Sequence, residues 1–179
     1  MEASISFKSI GKKINNKTAL AGVSFGVEKG SRFAIFGPIC SGKSTILKLI
    51  SGIIFKDKGH LYVNGKDINL NPLEIKYDIG YMPQKNDFYE NLSLLDNITL
   101  FGEFFNLSRL NSKNTALSLC EKLGIKDFIY NKSKDNAPSI NKIAMFARSI
   151  LHNPEIILLD EPTFSLWTEY ENILWKFLL

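Results

Sequence analysis

Only two cysteines, Cys40 and Cys120, and two histidines, His60 and His152, occur in the 179 residues. A disulfide framework is thereby excluded, and none of the four stands in a metal-ligand spacing. No apolar run approaches the about eighteen residues of a membrane-spanning helix, and the N-terminus lacks the basic, apolar, small-residue order of an export signal. The expectation is a cytosolic chain, in which triplets such as Asn97-Ile98-Thr99 have no meaning as glycan sites. Neither sign of charge dominates: 22 Lys and Arg against 18 Asp and Glu leave a formal +4. The basic residues are scattered and no stacking aromatics accompany them, so nucleic acid is not expected as a ligand. The composition, 45% hydrophobic and 22% charged, is that of a globular chain with one sizeable core, read as a single domain over 1–179.

The stretch Gly37-Pro38-Ile39-Cys40-Ser41-Gly42-Lys43-Ser44-Thr45 satisfies G-x-x-x-x-G-K-[ST]. Arg32 to Phe36 before it reads as a buried strand. After it, Ile46, Leu47, Leu49, Ile50 and Ile53 recur at helical spacing, with a stop at Gly52. Strand, glycine-bearing loop and helix start make a phosphate cradle, because unpaired backbone N–H groups and the positive helix end point at one small volume. Lys43 is expected to reach the outer phosphates of a nucleotide and Ser44 to ligate its Mg²⁺.

Upstream, Ile5–Phe7 and Val23–Val27 alternate as half-buried strands of a small antiparallel sheet, with a polar loop at Gly11–Lys17. Asn64-Gly65 after an alternating run signals a tight hairpin. Tyr77–Met82 forms a strand broken at Pro83, with Gln84 just beyond. From Ser93, which pairs with Asp96 as a cap, Leu94, Leu95, Ile98, Phe101, Phe104 and Phe105 share a helical face and are read as core. A second helix runs from about Ser112 to Leu123, and a third from Ile140 to His152 with Ser139 as cap. Ile156-Ile157-Leu158-Leu159 is apolar on both faces, as a central strand is, and ends in Asp160 and Glu161, where open α/β sheets bind ligands. One acid can hold Mg²⁺ through water and the other can activate an attacking water.

Taken together, the loop at 37–45, Gly80-Tyr81-Met82-Pro83-Gln84, Ala147 to Pro154 and Ile156 to Thr163 resemble, in order, the nucleotide-binding subunit of an ATP-binding-cassette (ABC) transporter. The resemblance implies an α/β fold, a P-loop NTPase (RecA-like) core with an N-terminal antiparallel β subdomain and an α-helical insert at about 90–152. It implies that ATP and Mg²⁺ bind at Gly37 to Thr45, that Lys43 contacts the β- and γ-phosphates, and that Ser44, Gln84 and Asp160 hold the metal. Glu161 would be the general base. The implied partners are a membrane permease, met by the helical insert, and a second cassette lending a serine-glycine-glycine signature; the implied location is peripheral, on the cytoplasmic face of the membrane. The wording around Gln84 and Glu90-Asn91-Leu92-Ser93 is most similar to export-type cassettes. The rivals are a non-catalytic nucleotide-binding cassette and a soluble ABC ATPase of repair or translation.

The sequence departs from the family pattern in several places. Asn136-Ala137-Pro138-Ser139-Ile140 stands where the signature is expected, without either glycine, and Ile143 replaces an arginine. Cys40 replaces a glycine in the phosphate loop, Ile10 an adenine-stacking aromatic, and Trp167 an aspartate. The chain ends one helix after Glu161. In related cassettes the next strand carries the switch histidine and lies between the two phosphate-binding strands, so the fold is expected to be incomplete at the C-terminus.

Overall fold

The computed structural model describes residues 3–179, which fall into two compact units divided after Ile79. The first is built on a long hairpin, β1 (Ala3–Ile14) and β2 (Lys17–Glu28). The loop expected at Gly11–Lys17 shrinks to Asn15-Asn16, both at positive φ (48° and 61°). Asparagine tolerates that region, and a turn left-handed at both central residues matches the twist of the strands it joins. β3 (Lys58–Val63) pairs antiparallel with β1, Leu61 opposite Phe7, and β4 (Lys66–Asp67) follows the Asn64-Gly65 turn as predicted, giving the order β2-β1-β3-β4. Ile5, Phe7, Ile10, Leu61 and Val63 make the buried face. Helix α1 (Lys43–Ile50) ends at Ser51, and α2 (Pro72–Asp78) takes Pro72 in its first turn, where a missing N–H costs nothing.

Residues 32–36 are not the buried strand that their composition suggests. They pair with no strand among the described residues, and Phe33 and Phe36 are 54% and 91% exposed. Phe33 instead extends an aromatic ladder on the hairpin, stacking on Phe25 at 5.3 Å while Phe25 stacks on Phe7 at 4.5 Å. An apolar run can form a central strand only if neighbours supply its ladder.

The division falls at the first residue of β5 (Ile79–Met82), which from Gly80 belongs to the second unit and is hydrogen-bonded beside β6 (Ile156–Leu159). Three helices pack together here: α3 (Leu94–Glu103), α4 (Arg109–Lys122) and α5 (Pro138–Ile150). Ser93 caps α3, accepting from the Asp96 N–H at 3.0 Å as predicted, and Ser108 caps α4 in the same way. The buried Asn97 amide donates to the carbonyls of Tyr89, Leu92 and Ser93, stitching the preceding loop to α3. Phe104 lies past the end of α3 and is 67% exposed, so the phenylalanine stripe is core only in part. α6 (Thr168–Leu178) closes the unit, with Tyr170 and Leu174 buried and Phe177 meeting Phe146 edge-on at 5.4 Å.

Almost every residue of α5 is buried. Its N-cap is Ala137 and not Ser139, because Pro138 presets a helical φ one residue earlier. Gly80 lets β5 approach α5 closely: a Cβ there would collide with the Ser149 carbonyl.

Candidate functional site

The phosphate loop is held open by backbone conformation. Gly42, at φ 94°, turns the chain into α1, and a Cβ on it would lie 2.9 Å from the Ala19 carbonyl oxygen and 2.8 Å from Leu20. Only glycine fits there, and its carbonyl starts the helix by accepting from the Ile46 N–H at 2.9 Å. The Ser41 N–H closes a turn back to the Pro38 carbonyl at 3.2 Å. Lys43 curls over this ring, its ammonium donating to the carbonyls of Gly37 at 2.9 Å and Pro38 at 3.0 Å. Ser44 and Thr45 follow in the first helical turn, which carries no acid, and the one basic residue of the last turn is Lys48. The first turn thus adds no negative charge of its own at the positive helix end. Ile39 and Cys40 lie at the exposed outer rim, Cys40 at φ 65°, the left-handed position that its replacement of a glycine made plausible.

In the second unit the acids follow β6. Asp160 is 4% exposed and its N–H donates to the Met82 carbonyl at 3.0 Å, which fixes the acid beside the end of β5. Burial, with the nearby charges of Asp160 and Asp87, pushes the Tyr81 phenol up to about 12. Glu161 has φ 50°. A non-glycine residue held in that region costs of order 1 kcal/mol, and such outliers gather at functional sites. The carbonyl of Gln84 accepts from Lys142 Nζ at 2.9 Å. Arg148, 5% exposed, donates to Asp87 at 2.7 Å and lies over the rings of Phe88 and Phe101 at 5.0 and 4.6 Å.

These residues fit a magnesium nucleotide. The loop at 37–45, in the first unit, is a cradle that a Cβ at Gly42 would obstruct; the candidate metal residues, Ser44 in the first unit and Gln84 and Asp160 in the second, each offer the oxygen that a hard cation requires. Among the described residues no three His, Cys, Asp or Glu side chains gather into a cage.

Two expectations are corrected. Ile10 does not face a nucleotide: it is fully buried in the sheet core. Ser139 offers no hydroxyl at the helix start, since it is 1% exposed and accepts from the Trp167 N–H at 3.0 Å. Lys142 and Arg148 were not singled out from sequence. The available signal was cations lying among the apolar residues of a helix buried all round.

The family model for the ABC transporter matches residues 20–164. Over 165 residues the chain is 28% identical to the linearmycin resistance ATP-binding protein LnrL of Bacillus subtilis, covering 92% of this chain and 53% of that protein. Over 143 residues it is 36% identical to the molybdate/tungstate import ATP-binding protein WtpC of Thermococcus kodakarensis, covering 80% and 43%. The chain thus spans about half the length of these curated relatives. The fold superposes on the dimeric, ADP- and Pi-bound ATP-binding cassette MJ0796 with a TM-score of 0.88 at 25% identity, covering 97% of this chain and 81% of that one. With the glycine turn under Lys43, the buried acid after β6 and a family model matched over most of its length, the chain belongs to the ABC transporter family and has its P-loop NTPase fold.

Proposed function

We propose that this chain binds Mg²⁺-ATP and hydrolyses it as the nucleotide-binding subunit of an ABC transporter, powering export through a separate membrane permease. The observation that carries the reading is Lys43 seated on the Gly37 and Pro38 carbonyls above a helix N-terminus that only Gly42 allows. Lys43 trades those carbonyls for β- and γ-phosphate oxygens, and the N–H groups of 41–45 hold the remainder of the chain of phosphates. Ser44 and Gln84 ligate the metal and Asp160 holds it through water; Glu161 takes the proton of the attacking water. Bound Mg²⁺ supplies charge neutralisation across the phosphates.

On this reading residues 1–179 work as one ABC-type domain at the cytoplasmic face of the membrane, and the helical part at about 90–152 meets the permease. A second cassette supplies the signature opposite Lys43; the dimeric form of the MJ0796 cassette supports pairing. Export rests on the wording around Gln84 and Glu90 to Ser93. The named relatives include both a resistance protein and an import protein, so transport direction is the arm to measure in vesicles with the permease. The start of α5 favours a second reading, a cassette that binds nucleotide without turning it over, because Ala137-Pro138-Ser139 brings neither glycine nor an outward hydroxyl.

The test is ATPase activity of the chain with its membrane partner, wild type against Glu161→Gln, beside nucleotide binding by wild type and Lys43→Ala. Turnover that Glu161→Gln removes, with binding that Lys43→Ala removes, supports the subunit reading. Equal, near-zero rates with binding intact leave the non-catalytic cassette.

A further inference from the structure

Side chains of α5 hold the loop that leaves β5. Lys142 Nζ donates to the carbonyls of Gln84 at 2.9 Å and Pro83 at 3.4 Å. One residue earlier, Asn141 is joined through the Ser133 hydroxyl to Asn86, by bonds of 3.4 and 3.3 Å. One turn or two further on, Arg148 holds Asp87. Of these ties only Lys142 reaches Gln84, and it does so from a side chain 5% exposed that borders a cleft of about 500 Å³ shared with Gln84, Asn86, Met145 and Phe164.

A buried ammonium is unfavourable unless it is paired, and a methionine would fill the same space without that penalty. Packing therefore does not account for a lysine here. Burial pulls its pKa down, and the charges of Asp160 and Glu161 work against that pull.

We propose that Lys142 is a positioning residue: by anchoring the Gln84 carbonyl, it fixes the Gln84 side chain for the metal of a magnesium nucleotide. Neither Lys142 nor its ammonium touches the phosphates or the ion. The inference rests on the Mg²⁺-nucleotide reading above and deepens it. Outer partners that orient a ligand commonly govern metal affinity by ten- to a hundredfold.

The experiment is calorimetric titration of the full chain with ATPγS, once with Mg²⁺ and once with EDTA. Wild type binds more tightly with Mg²⁺. Lys142→Met is expected to cut that Mg²⁺-dependent gain about tenfold while leaving affinity in EDTA unchanged, and Lys142→Arg, which keeps a cationic donor, is expected to retain most of the gain. In a Gln84→Ala background Lys142→Met should add nothing, as a shared pathway requires. Circular dichroism checks folding, and Lys142→Gln replaces Lys142→Met if the latter does not fold. Equal losses with and without Mg²⁺, an arginine variant no better than methionine, or additivity with Gln84→Ala each overturns the proposal. Those results would leave wild-type binding intact. A wild type without ATPγS affinity that Lys43→Ala removes overturns the nucleotide reading itself, and this inference with it.

Discussion

Cys40 and Cys120 show how far one residue type can be driven by its surroundings. Cys40 is exposed at φ 65°. The left-handed region costs an L-residue of order 1–2 kcal/mol, while glycine gives back about 0.5–1 in the unfolded chain. Cys40→Gly is expected to stabilise the protein by less than about 1 kcal/mol, measured by urea unfolding. Cys120 is fully buried on α4, and burial pushes its thiol up from 9.0 to about 12. Iodoacetamide at pH 8 should therefore label one thiol, Cys40, in the native protein and both in urea, as mass spectrometry would count. The same shift has a stability consequence. The folded pKa lies above the unfolded one, so the stabilisation is complete below about pH 9 and is lost as pH rises towards 12, with a slope of up to about 1.4 kcal/mol per pH unit. Tyr81, also raised to about 12 from 10.0, adds to the loss above pH 10. Cys120→Ala should flatten the alkaline slope of urea-derived stability between pH 9 and 10; an unchanged slope would refute this assignment.

Among the elements, α5 is where local and tertiary demands meet. Ala137 caps it without a side-chain acceptor. Its extended backbone (φ −60°, ψ 148°) suits a serine cap. Ala137→Ser is expected to add about 0.5–1 kcal/mol by urea unfolding, with no gain from Ala137→Val. At the other end, Arg148 joins Asp87, Phe88 and Phe101 while 5% exposed. Its removal strips two cation–π contacts and strands the Asp87 carboxylate. That carboxylate is 52% exposed, so solvent recovers part of the loss. Arg148→Ala should then cost about 2–4 kcal/mol, and Arg148→Lys should recover less than half, because an ammonium cannot lie flat between two rings. The helices themselves were legible in sequence because their caps and periodicity are local: Ser93 with Asp96, and apolar residues at three- and four-residue spacing. The start of α5 was misplaced by two residues because serine and proline both signal a helix start, and Ser139 is claimed by the Trp167 N–H, 28 residues away.

At the scale of the molecule, residues 32–36 present Phe33 and Phe36 outside any sheet among the described residues. Extended apolar segments of this kind are sites of association. Phe36→Ser, at a position 91% exposed, is expected to raise the concentration at which light scattering appears and to leave urea stability within about 0.5 kcal/mol. Phe33→Ser should instead destabilise, since it removes the outer ring of the Phe7–Phe25–Phe33 ladder. The amino-acid sequence by itself determined the phosphate loop with Lys43 and Gly42, the Asn64-Gly65 hairpin, the α3 cap and the acids after β6. Each of these depends on a few consecutive residues and on conformations that their side chains allow. Only the tertiary structure decided that Ile10 is core, that Phe33 stacks on a hairpin in place of lying in a central strand, that Ser139 faces Trp167, and that Lys142 holds Gln84 from 58 residues away. Those outcomes depend on which distant groups arrive to satisfy a backbone or bury a ring, and no local pattern carries that information.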